Sequence, residues 1–469
     1  MTKRIFKILL CVIFATGSVG IKAQNQPNII VILADDLGYG DLGSYGCEDI
    51  KTPNLDKMAV EGVRLTSFYA NGPECTPTRA AFLTGRYQQR VGGLECAIGA
   101  GNVGRYDEAE WLSERHQNGL DPAFTVLPSA LKKAGYATAI IGKWHLGYEK
   151  KFRPLQHGFD YSIGPIGYGG DYFYHVEKAK TIRVDDFTGS HNLAENDREI
   201  YRDGYYMTHL ITKESDRWIG SQSPDQPFFL YIPYTAPHKP LQGPYDFKNR
   251  PLQGDEWQLK DRAKYAEMVE DMDKGIGEIF HRLRMTGQDK NTIVIFFSDN
   301  GATGFGDNGP FRGIKGQVFE GGIRVPCLVW WPENLEAGKV SDQLSASFDL
   351  TYSILKLAGA NPENYDLDGA DIIDHLLQGN EDYSRTLFWR KKRYEANLKA
   401  VRDGNLKYII NYKGDQVQEE YLFDLLADPS ETNDLKDAQP KDLKKMKKLL
   451  QQWESEMKPQ WLDQLKAVK

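Results

Sequence analysis

Residues 28–36 read NIIVILADD, and this stretch decides the fold. Its uninterrupted apolar run predicts a strand that is covered on both faces, because a strand with one face in water alternates apolar and polar residues. The strand ends in two adjacent carboxylates, Asp35 and Asp36. In open α/β sheets, binding sites lie just beyond the carboxyl ends of the strands, so this position is the first candidate for a functional site.

Other short apolar runs predict the rest of a sheet around this strand. They are Ala137–Gly142, Phe228–Tyr234, Thr292–Ser298 and Cys327–Trp331, and all are predicted to be buried parallel strands. Amphipathic helical stretches lie between them, at Leu55–Glu61, Thr125–Ala134 and Lys260–Met285. This alternation predicts the α/β class, with a large mixed, mostly parallel sheet flanked by helices in a doubly wound arrangement.

The pattern changes after about residue 345. Two helical stretches are followed by short strand-like pieces, a hairpin that runs to residue 423, and a charged helix at 441–456. We therefore predict a main α/β domain over residues 24–345 and a smaller α+β subdomain over residues 346–469. No low-complexity linker separates the two regions in the sequence, so they are expected to pack as one body.

The first 23 residues differ from the rest of the chain. Lys3, Arg4 and Lys7 form a basic start, an apolar run of about 13 residues follows, and residues 21–23 resemble a cleavage site. The alternative is an N-terminal membrane anchor, but a spanning helix needs about 20 apolar residues. Residues 1–23 are thus predicted to be a cleaved signal peptide, which places the mature chain in the periplasm or outside the cell, without a transmembrane segment.

The composition is that of a soluble globular protein, with 41% hydrophobic, 26% charged and 12% aromatic residues. Loss of the four basic residues of the predicted signal peptide takes the formal charge from −7 to −11. Such an acidic chain has no electrostatic footprint for nucleic acid. If it binds an anion, it must concentrate positive charge in one pocket.

Four cysteines remain in the predicted mature chain: Cys47, Cys75, Cys96 and Cys327. This number is too small for a disulfide scaffold. One or two bridges are compatible with an oxidising compartment, and the sequence assigns no pairing. Zinc is not indicated, because the sequence contains no CxxC pair.

Two of the predicted strands end in oxygen ligands. Asp299 and Asn300 follow Thr292–Ser298, as Asp35 and Asp36 follow the first strand. Adjacent carboxylates repel unless a cation lies between them, and hard oxygen donors favour Ca²⁺, or Mg²⁺ as the second choice. The alternative is a strand-end turn with solvated aspartates, which accounts for one pair but not for two strands that end alike. We therefore predict one divalent metal ion at this edge.

Residues 74–86 read ECTPTRAAFLTGR. The stretch resembles the signature of the sulfatase family, the formylglycine-dependent enzymes of the alkaline phosphatase-like superfamily: a cysteine or serine, any residue, proline, usually serine, arginine, alanine, and a run ending in LTGR. The resemblance implies that Cys75 is oxidised to formylglycine, whose hydrated aldehyde is the nucleophile and a ligand of the metal. Thr78 stands where serine is commonest, and it keeps the hydroxyl. The alternative, a buried structural cysteine, does not explain so long a match.

Other strings resemble the same family. GKWHLG at 142–147 carries Lys143 and His145, APHKP at 236–240 carries His238, and RGIKG at 312–316 carries Lys315. Alone, these residues would be interpreted as solvated lysines and core histidines. HGFD at 157–160 and strings at 347–359, 367–372 and 421–435 also match, so the resemblance covers essentially the whole mature chain.

The resemblance implies a role for each of these residues. Arg79, Lys143 and Lys315 are expected to hold the sulfate or the nucleophile by positive charge and hydrogen bonds. His238 is expected to protonate the leaving alcohol, and His145 to take the proton from the second hydroxyl of the hydrated aldehyde. Lys143 and His145 are two residues apart and face the same way if their segment is extended.

The expected function is hydrolysis of sulfate esters, and a sulfated polysaccharide or glycosaminoglycan fragment is preferred to an aryl sulfate for a secreted enzyme. The expected partners are this saccharide and a maturation enzyme, of either the formylglycine-generating or the anaerobic sulfatase-maturating type. Glu95–Tyr106 and Gly164–Tyr174 are candidates for the sugar-facing rim. The alternatives are a phosphatase or phosphonate hydrolase of the same superfamily, and a protein that binds sulfated glycans without formylglycine.

Overall fold

The structure is a computed structural model that describes residues 26–92, 94–98, 118–167, 169–177, 182–184, 187–189, 192–379, 382–393 and 395–457. The predicted signal peptide, and residues 99–106 and 168 of the two predicted rim segments, lie outside the described residues. No helix within these ranges is long and apolar enough to cross a membrane.

The described residues form nine helices, whose bounds set the frame of the fold. They are α1 Pro53–Glu61, α2 Cys75–Thr84, α3 Leu127–Lys133, α4 Met207–Gly220, α5 Arg262–Met285, α6 Glu320–Ile323, α7 Ser347–Leu357, α8 Ile372–Gln378 and α9 Pro440–Glu456.

The strands are mostly short. They are β1 Asn28–Ala34, β2 Val63–Leu65, β3 Phe68–Tyr69, β4 Ala137–Ile141, β5 Tyr161–Pro165, β6 Ile182–Val184, β7 Phe187–Gly189, β8 Leu193–Glu195, β9 Arg198–Glu199, β10 Phe228–Pro233, β11 Thr292–Ser298, β12 Cys327–Trp330, β13 Lys339–Ser341, β14 Ser345–Ala346, β15 Thr386–Arg393, β16 Ala396–Asp403, β17 Leu406–Lys413 and β18 Gln416–Asp424.

A ten-stranded sheet forms the centre of the described residues. Its strand order is β13-β2-β12-β11-β1-β10-β4-β5-β8-β9. The pairs β11-β1, β1-β10, β10-β4 and β4-β5 are parallel, so the carboxyl ends of these central strands meet at one edge. The prediction of a large mixed, mostly parallel sheet is confirmed.

One strand direction was predicted wrongly. The run Cys327–Trp331 was expected to be parallel, but β12 pairs antiparallel with β11. The chain between them does not return to the other edge of the sheet through a crossover helix. It stays at the carboxyl edge, with only the short α6 before β12, and a strand that starts at that edge must run back against its neighbour.

Both faces of the sheet are covered, as the apolar runs predict. Ile29, Val31 and Leu33 of β1 pack in one core with α2, α3, α7 and α8. Ile30 and Ile32 point the other way and pack with α1, α4 and α5. A strand with alternate residues in two different cores must be apolar throughout, because successive side chains point to opposite faces.

The C-terminal region adds a four-stranded antiparallel sheet, β15-β16-β17-β18, against which α9 packs around Trp453. This confirms the smaller α+β region that the sequence predicts. The division at residue 345 stays a prediction, and α7 and α8, which follow it, pack in the core beneath the large sheet. The cysteines Cys47, Cys75, Cys96 and Cys327 are all free thiols.

Candidate active site

Four parallel strands deliver the polar residues to one place. Asp35 and Asp299 follow the paired ends of β1 and β11, where the Asp299 N–H donates to the carbonyl of Ala34 at 3.1 Å. Lys143 follows β4, and its N–H donates to the carbonyl of Pro233 at the end of β10, at 2.7 Å. The sheet register therefore brings together side chains that are more than a hundred residues apart in sequence.

Three buried carboxylates lie at the centre of this site. Asp36 has a φ of 69°, a left-handed conformation that non-glycine residues rarely adopt. This conformation turns the chain sharply after the strand, and the Asp36 N–H donates to Asp299 Oδ1 at 3.3 Å. Carboxylate oxygens of Asp35 and Asp36, Sγ of Cys75 and a ring nitrogen of His238 lie within 4.8 Å of one another. A non-glycine residue in a strained backbone conformation, next to a cluster of charged side chains, is typical of a functional site.

Three cations neutralise the three carboxylates. Arg79 donates from Nε and from a terminal nitrogen to Asp299 Oδ2, at 3.0 and 2.7 Å. Lys143 Nζ lies 2.5 Å from Asp35 Oδ2, and Lys315 Nζ lies 2.6 Å from Asp36 Oδ1. Burial favours the neutral form of Asp36, but the Lys315 ammonium and His238 outweigh it and hold the pKa of that carboxyl below its usual range.

The donor set fits a divalent cation. Burial and the charge of Asp35 raise the pKa of Asp299 to about 6, which reports crowding among the carboxylates. Asn300 donates to Asp36 Oδ1 at 2.8 Å, while its own Oδ1 is buried and accepts no hydrogen bond from the described residues. Carboxylates and a buried amide oxygen without a donor are the hard ligands that Ca²⁺ and Mg²⁺ prefer. Asp35, Asp36, Asp299 and Asn300 are thus suited to hold one ion.

Cys75 is the first residue of α2, so its side chain lies at the positive end of the helix dipole. Its Sγ lies 3.3 Å from Asp35 Oδ1 and 3.4 Å from Lys315 Nζ, and the residue is only 1% exposed. Burial, together with Asp299 and Asp35, raises the pKa of the Cys75 thiol well above its usual value. An unmodified Cys75 is therefore held as a neutral thiol, which is a poor nucleophile.

His145 faces the site from a turn, so the segment from Lys143 to His145 does not meet the condition of being extended. His145 has a φ of 59°, which redirects the chain after Lys143. Its Nε2 lies 2.5 Å from the carbonyl of Ile98, and its own carbonyl accepts from the Thr76 hydroxyl at 3.0 Å. Burial and the charge of Lys143 lower the pKa of His145 well below its usual value, so the ring is neutral and can accept a proton.

The HGFD string supports this turn from behind. The ring of His157 packs on Trp144 with centroids 4.8 Å apart, and Nδ1 lies 2.5 Å from the hydroxyl of Thr125. Burial lowers the pKa of His157 to about 3. This neutral histidine packs beneath the site and does not line it.

His238 follows β10, the strand that lies between β1 and β4 in the sheet. Its Nε2 is 3.7 Å from Asp36 Oδ2, and its Nδ1 is 2.6 Å from the carbonyl of Lys239. The prolyl bonds before Pro237 and Pro240 are both cis. Burial and the Lys315 charge lower the pKa of His238, while Asp36 opposes this shift. With Nδ1 directed at a backbone carbonyl, Nε2 is the ring nitrogen that faces Asp36 and the groups around it.

A cavity of about 440 Å³ opens above these residues. Of the predicted site residues, Asp36, Cys75, His145, His238 and Lys315 line it. Arg79 and Lys143 lie behind the wall, where Arg79 also donates to the Lys143 carbonyl at 2.9 Å. All the predicted residues are thus brought together. Arg79 and Lys143 form an inner group that holds the carboxylates behind the wall, and the lining residues form an outer group that meets the cavity.

Sequence reasoning missed part of the cavity wall. Trp257, Lys239 and Glu74 line it, and so do Lys391 and Arg393 at the end of β15. The C-terminal sheet therefore contributes to the site. The only signal in the sequence is that Lys391 and Arg393 alternate in a strand, which places them on one face. Nothing in the sequence indicates that this face meets the cavity.

Comparison with known proteins decides the family. Residues 27–360, more than half of the chain, match the family described as Sulfatase. The chain belongs to the sulfatase family. Residues 309–458 also match the family described as N-sulphoglucosamine sulphohydrolase, C-terminal. Both matches include Lys315, at the junction between the large sheet and the C-terminal sheet of this sulfatase.

Individual relatives identify this sulfatase as a sulfuric ester hydrolase. It is 37% identical to N-acetylgalactosamine-6-sulfatase of Rattus norvegicus over 86% of this chain and 74% of the relative. It is 32% identical to steryl-sulfatase of Mus musculus, over 81% of this chain and 69% of the relative. The crystal structure of Ps i-CgsB in complex with k-i-k-neocarrahexaose matches with a TM-score of 0.77 and 30% identity, covering 91% of this chain and 92% of the other.

Proposed function

We propose that this sulfatase removes sulfate from a sulfated saccharide, with a formylglycine made from Cys75 as nucleophile and one divalent metal ion. The observation that carries the proposal is the position of Cys75, at the start of α2 between Asp35 and Lys315 and beneath a cavity. Its thiol is kept neutral there, so the site gives an unmodified cysteine no thiolate reactivity. Conversion to a hydrated aldehyde would supply two hydroxyls at the same point.

The metal would be held by Asp35, Asp36, Asp299, Asn300 and an oxygen of the converted residue 75. The proposed ion is Ca²⁺, with Mg²⁺ as the alternative, because the donors are all oxygens and both ions prefer oxygen ligands. When bound, the ion supplies positive charge beside the hydroxyls of residue 75, which favours ionisation of one of them.

One of the protein's cations binds the sulfate ester, and the other two hold the carboxylates in place. Lys315 lines the cavity next to residue 75, where it can donate to a sulfate oxygen. Lys143 and Arg79 lie in the inner group and fix Asp35 and Asp299, so that the carboxylates keep their positions while charge moves. The oxyanion of residue 75 attacks sulfur, the bond from sulfur to the leaving oxygen breaks, and a sulfate ester on residue 75 results.

Two histidines move the protons. His238 protonates the leaving alcohol, because it lines the cavity beside Asp36 and Lys315. An anionic sulfate ester beside His238 favours its protonated form and so offsets the effect of the lysine. His145 then takes the proton from the remaining hydroxyl of residue 75, which expels sulfate and restores the aldehyde. Burial and Lys143 keep the His145 ring neutral, which is the form that can accept this proton.

A saccharide is the preferred substrate class. One relative is named for N-acetylgalactosamine-6-sulfate and another structure holds neocarrahexaose, whereas a third relative is named for steryl sulfate. Trp257 lines the cavity with its indole N–H fixed on the carbonyl of Leu252 at 2.9 Å. An aromatic face held in this way offers an apolar platform with a defined direction. It suits the face of a sugar ring next to the sulfate.

Maturation and location complete the proposal. Because Cys75 is 1% exposed in the folded chain, a formylglycine-generating or anaerobic sulfatase-maturating enzyme must act before the chain has folded. Residues 1–23 would direct the chain to the periplasm or outside the cell and would then be removed.

The test combines mass and activity. Mass spectrometry of the peptide that contains residue 75, from protein made in its native host, should show an aldehyde in place of the thiol. Protein in that form should release sulfate from defined sulfated mono- and disaccharides. A fully reduced Cys75 in native protein that still binds these saccharides would favour the glycan-binding alternative. Faster release of phosphate or phosphonate than of sulfate would favour the hydrolase alternative.

A further inference from the structure

The C-terminal sheet brings two cations to the wall of the cavity. Lys391 and Arg393 are alternate residues of β15, so their side chains share one face of the strand. Both line the cavity, and both approach Glu74, the residue directly before Cys75. Lys391 and Arg393 therefore approach the residue next to the proposed nucleophile. Neither of them belongs to the proposed metal site or to the reacting groups.

The two cations differ in how their charge is used. Lys391 is 8% exposed, and its Nζ lies 2.7 Å from Glu74 Oε1 and 2.9 Å from the carbonyl of Gly316. Arg393 is 41% exposed and reaches the same Oε1 only at 3.7 Å. Its guanidinium donates no hydrogen bond to the residues that the structure describes. Lys391 is therefore the cation that pairs closely with Glu74. The N–H groups of the Arg393 guanidinium can donate hydrogen bonds to another acceptor.

The charge of the cavity wall points the same way. The described residues of the wall include four cations, Lys239, Lys315, Lys391 and Arg393, and two carboxylates, Asp36 and Glu74. The deeper carboxylates Asp35 and Asp299 are matched by Lys143 and Arg79. The described part of the wall thus has two positive charges in excess, in a concave site that concentrates an anionic ligand.

We propose that Arg393 binds a second anionic group of the substrate, a sulfate or carboxylate other than the sulfate that is removed. The inference rests on the proposed function, since it takes Cys75 to mark the reacting sulfate. A planar guanidinium matches the oxygens of either group by two parallel hydrogen bonds. The substrate is then a saccharide with at least two anionic groups, and the C-terminal sheet selects it.

Arg393→Gln tests the proposal with three probes: N-acetylgalactosamine 6-sulfate with one anion, N-acetylgalactosamine 4,6-disulfate with two on one ring, and a chondroitin 6-sulfate disaccharide with a uronate beside the sulfated sugar. In the wild type, kcat/KM should be higher for at least one doubly anionic probe. Arg393→Gln should lower that preference about fivefold through KM, a modest figure because the side chain is partly exposed. If the disulfate loses its higher kcat/KM in Arg393→Gln, the second group is a sulfate. If the disaccharide loses it, the second group is a carboxylate.

Lys392→Gln is the matched control, because it removes one positive charge from the other face of the same strand and should leave the preference unchanged. An unchanged preference in Arg393→Gln, or an equal loss in Lys392→Gln, would overturn the proposal. Binding of the same probes to unconverted protein, measured by calorimetry, separates it from the proposed function. Arg393-dependent binding without turnover of any sulfate ester by converted protein would reject the sulfatase mechanism and keep the anion subsite.

Discussion

At the scale of the residue, Cys75 lies where its own chemistry is suppressed. Asp35 contacts Sγ on one side and Lys315 on the other, and burial keeps the thiol protonated. A cysteine hydrolase needs the opposite arrangement, with a thiolate stabilised by a neighbouring base. The surroundings of residue 75 suit an oxygen nucleophile next to a cation, which is what the proposed conversion to formylglycine would supply.

Cys75→Ser should stop turnover without stopping the first chemical step. Serine supplies one hydroxyl for attack but has no second hydroxyl from which His145 could take a proton, so the sulfate ester on residue 75 cannot decompose. We expect steady-state kcat to fall about a thousandfold or more, and intact mass to show one sulfate group on the enzyme. Cys47→Ser, at a half-buried free cysteine, is the control. Full steady-state activity in Cys75→Ser would contradict the mechanism.

At the scale of the element, the sequence predicted what depends on local pattern. The ends of β1 and β11 were predicted to the residue, and those of β4 and β10 to within one residue, because fully apolar runs and the polar residues after them are visible without the fold. The turn at His145 was missed because no local rule marks a left-handed histidine. The approach of β15 to the cavity was missed because it depends on how two sheets pack, which a sequence pattern does not contain.

Gly142 shows how an element end can control the site. Its φ is 136°, and a Cβ there would lie 2.1 Å from the carbonyl oxygen of Pro233, to which the Lys143 N–H donates. Gly142→Ala should therefore lower the free energy of unfolding by about 3 kcal/mol or more and reduce kcat/KM, because Lys143 is displaced.

Gly135→Ala is the matched control for this substitution. Gly135 also has a positive φ, of 94°, but nothing lies within 4 Å of the added Cβ. Gly135→Ala should therefore lower the free energy of unfolding by only about 1–2 kcal/mol, which is the cost of the left-handed conformation, and should keep its activity. Chemical denaturation and kcat/KM of both variants check the prediction, and equal losses of stability in the two would show that the contact with Pro233 is unimportant.

At the scale of the whole molecule, metal binding should stabilise the fold, because the carboxylates proposed to hold the ion follow two strands of the central sheet. Adding Ca²⁺ to chelator-treated protein should raise Tm by a few degrees, on the order of 2–3 kcal/mol at a hundredfold excess over Kd. Asn300→Ala, which removes the buried Oδ1, should reduce this shift. Sodium chloride of equal ionic strength is the control, and an equal shift in the wild type and Asn300→Ala would contradict the assigned ligand.

The two sheets are joined by a second buried charge cluster. Lys407 of β17 lies 2.7 Å from Glu320 Oε1 and 2.8 Å from Glu431 Oε1, and all three side chains are buried. Glu320 begins α6, five residues after Lys315, so this contact fixes the C-terminal sheet beside the lysine of the active site. Burial disfavours the charge of Glu320, but Lys407 outweighs it and lowers the pKa to about 2, whereas burial raises the pKa of Glu431 to about 7.

This cluster makes stability depend on pH in a predictable direction. Because the pKa of Glu431 is higher in the folded chain than its ordinary value of 4.5, its contribution is fully present below pH 4.5 and is lost as pH rises through about 7. Glu320 acts oppositely, since its contribution is present above pH 4.5 and is lost as pH falls through about 2. Within this cluster, the change between pH 5 and 8 should therefore come from Glu431.

Glu431→Gln should remove that change, because glutamine keeps an acceptor for the Glu320 N–H and never ionises. We expect the Tm of the wild type to fall relative to that of Glu431→Gln as pH rises from 5 to 8, measured by calorimetry at fixed ionic strength. Glu333→Gln is the matched control, since Glu333 has a similar left-handed φ but is exposed. Parallel Tm profiles for the wild type and Glu431→Gln would show that Glu431 is already ionised in the folded sulfatase at pH 5. Lys407 would then form ion pairs with two ionised carboxylates, Glu320 and Glu431, at the same time.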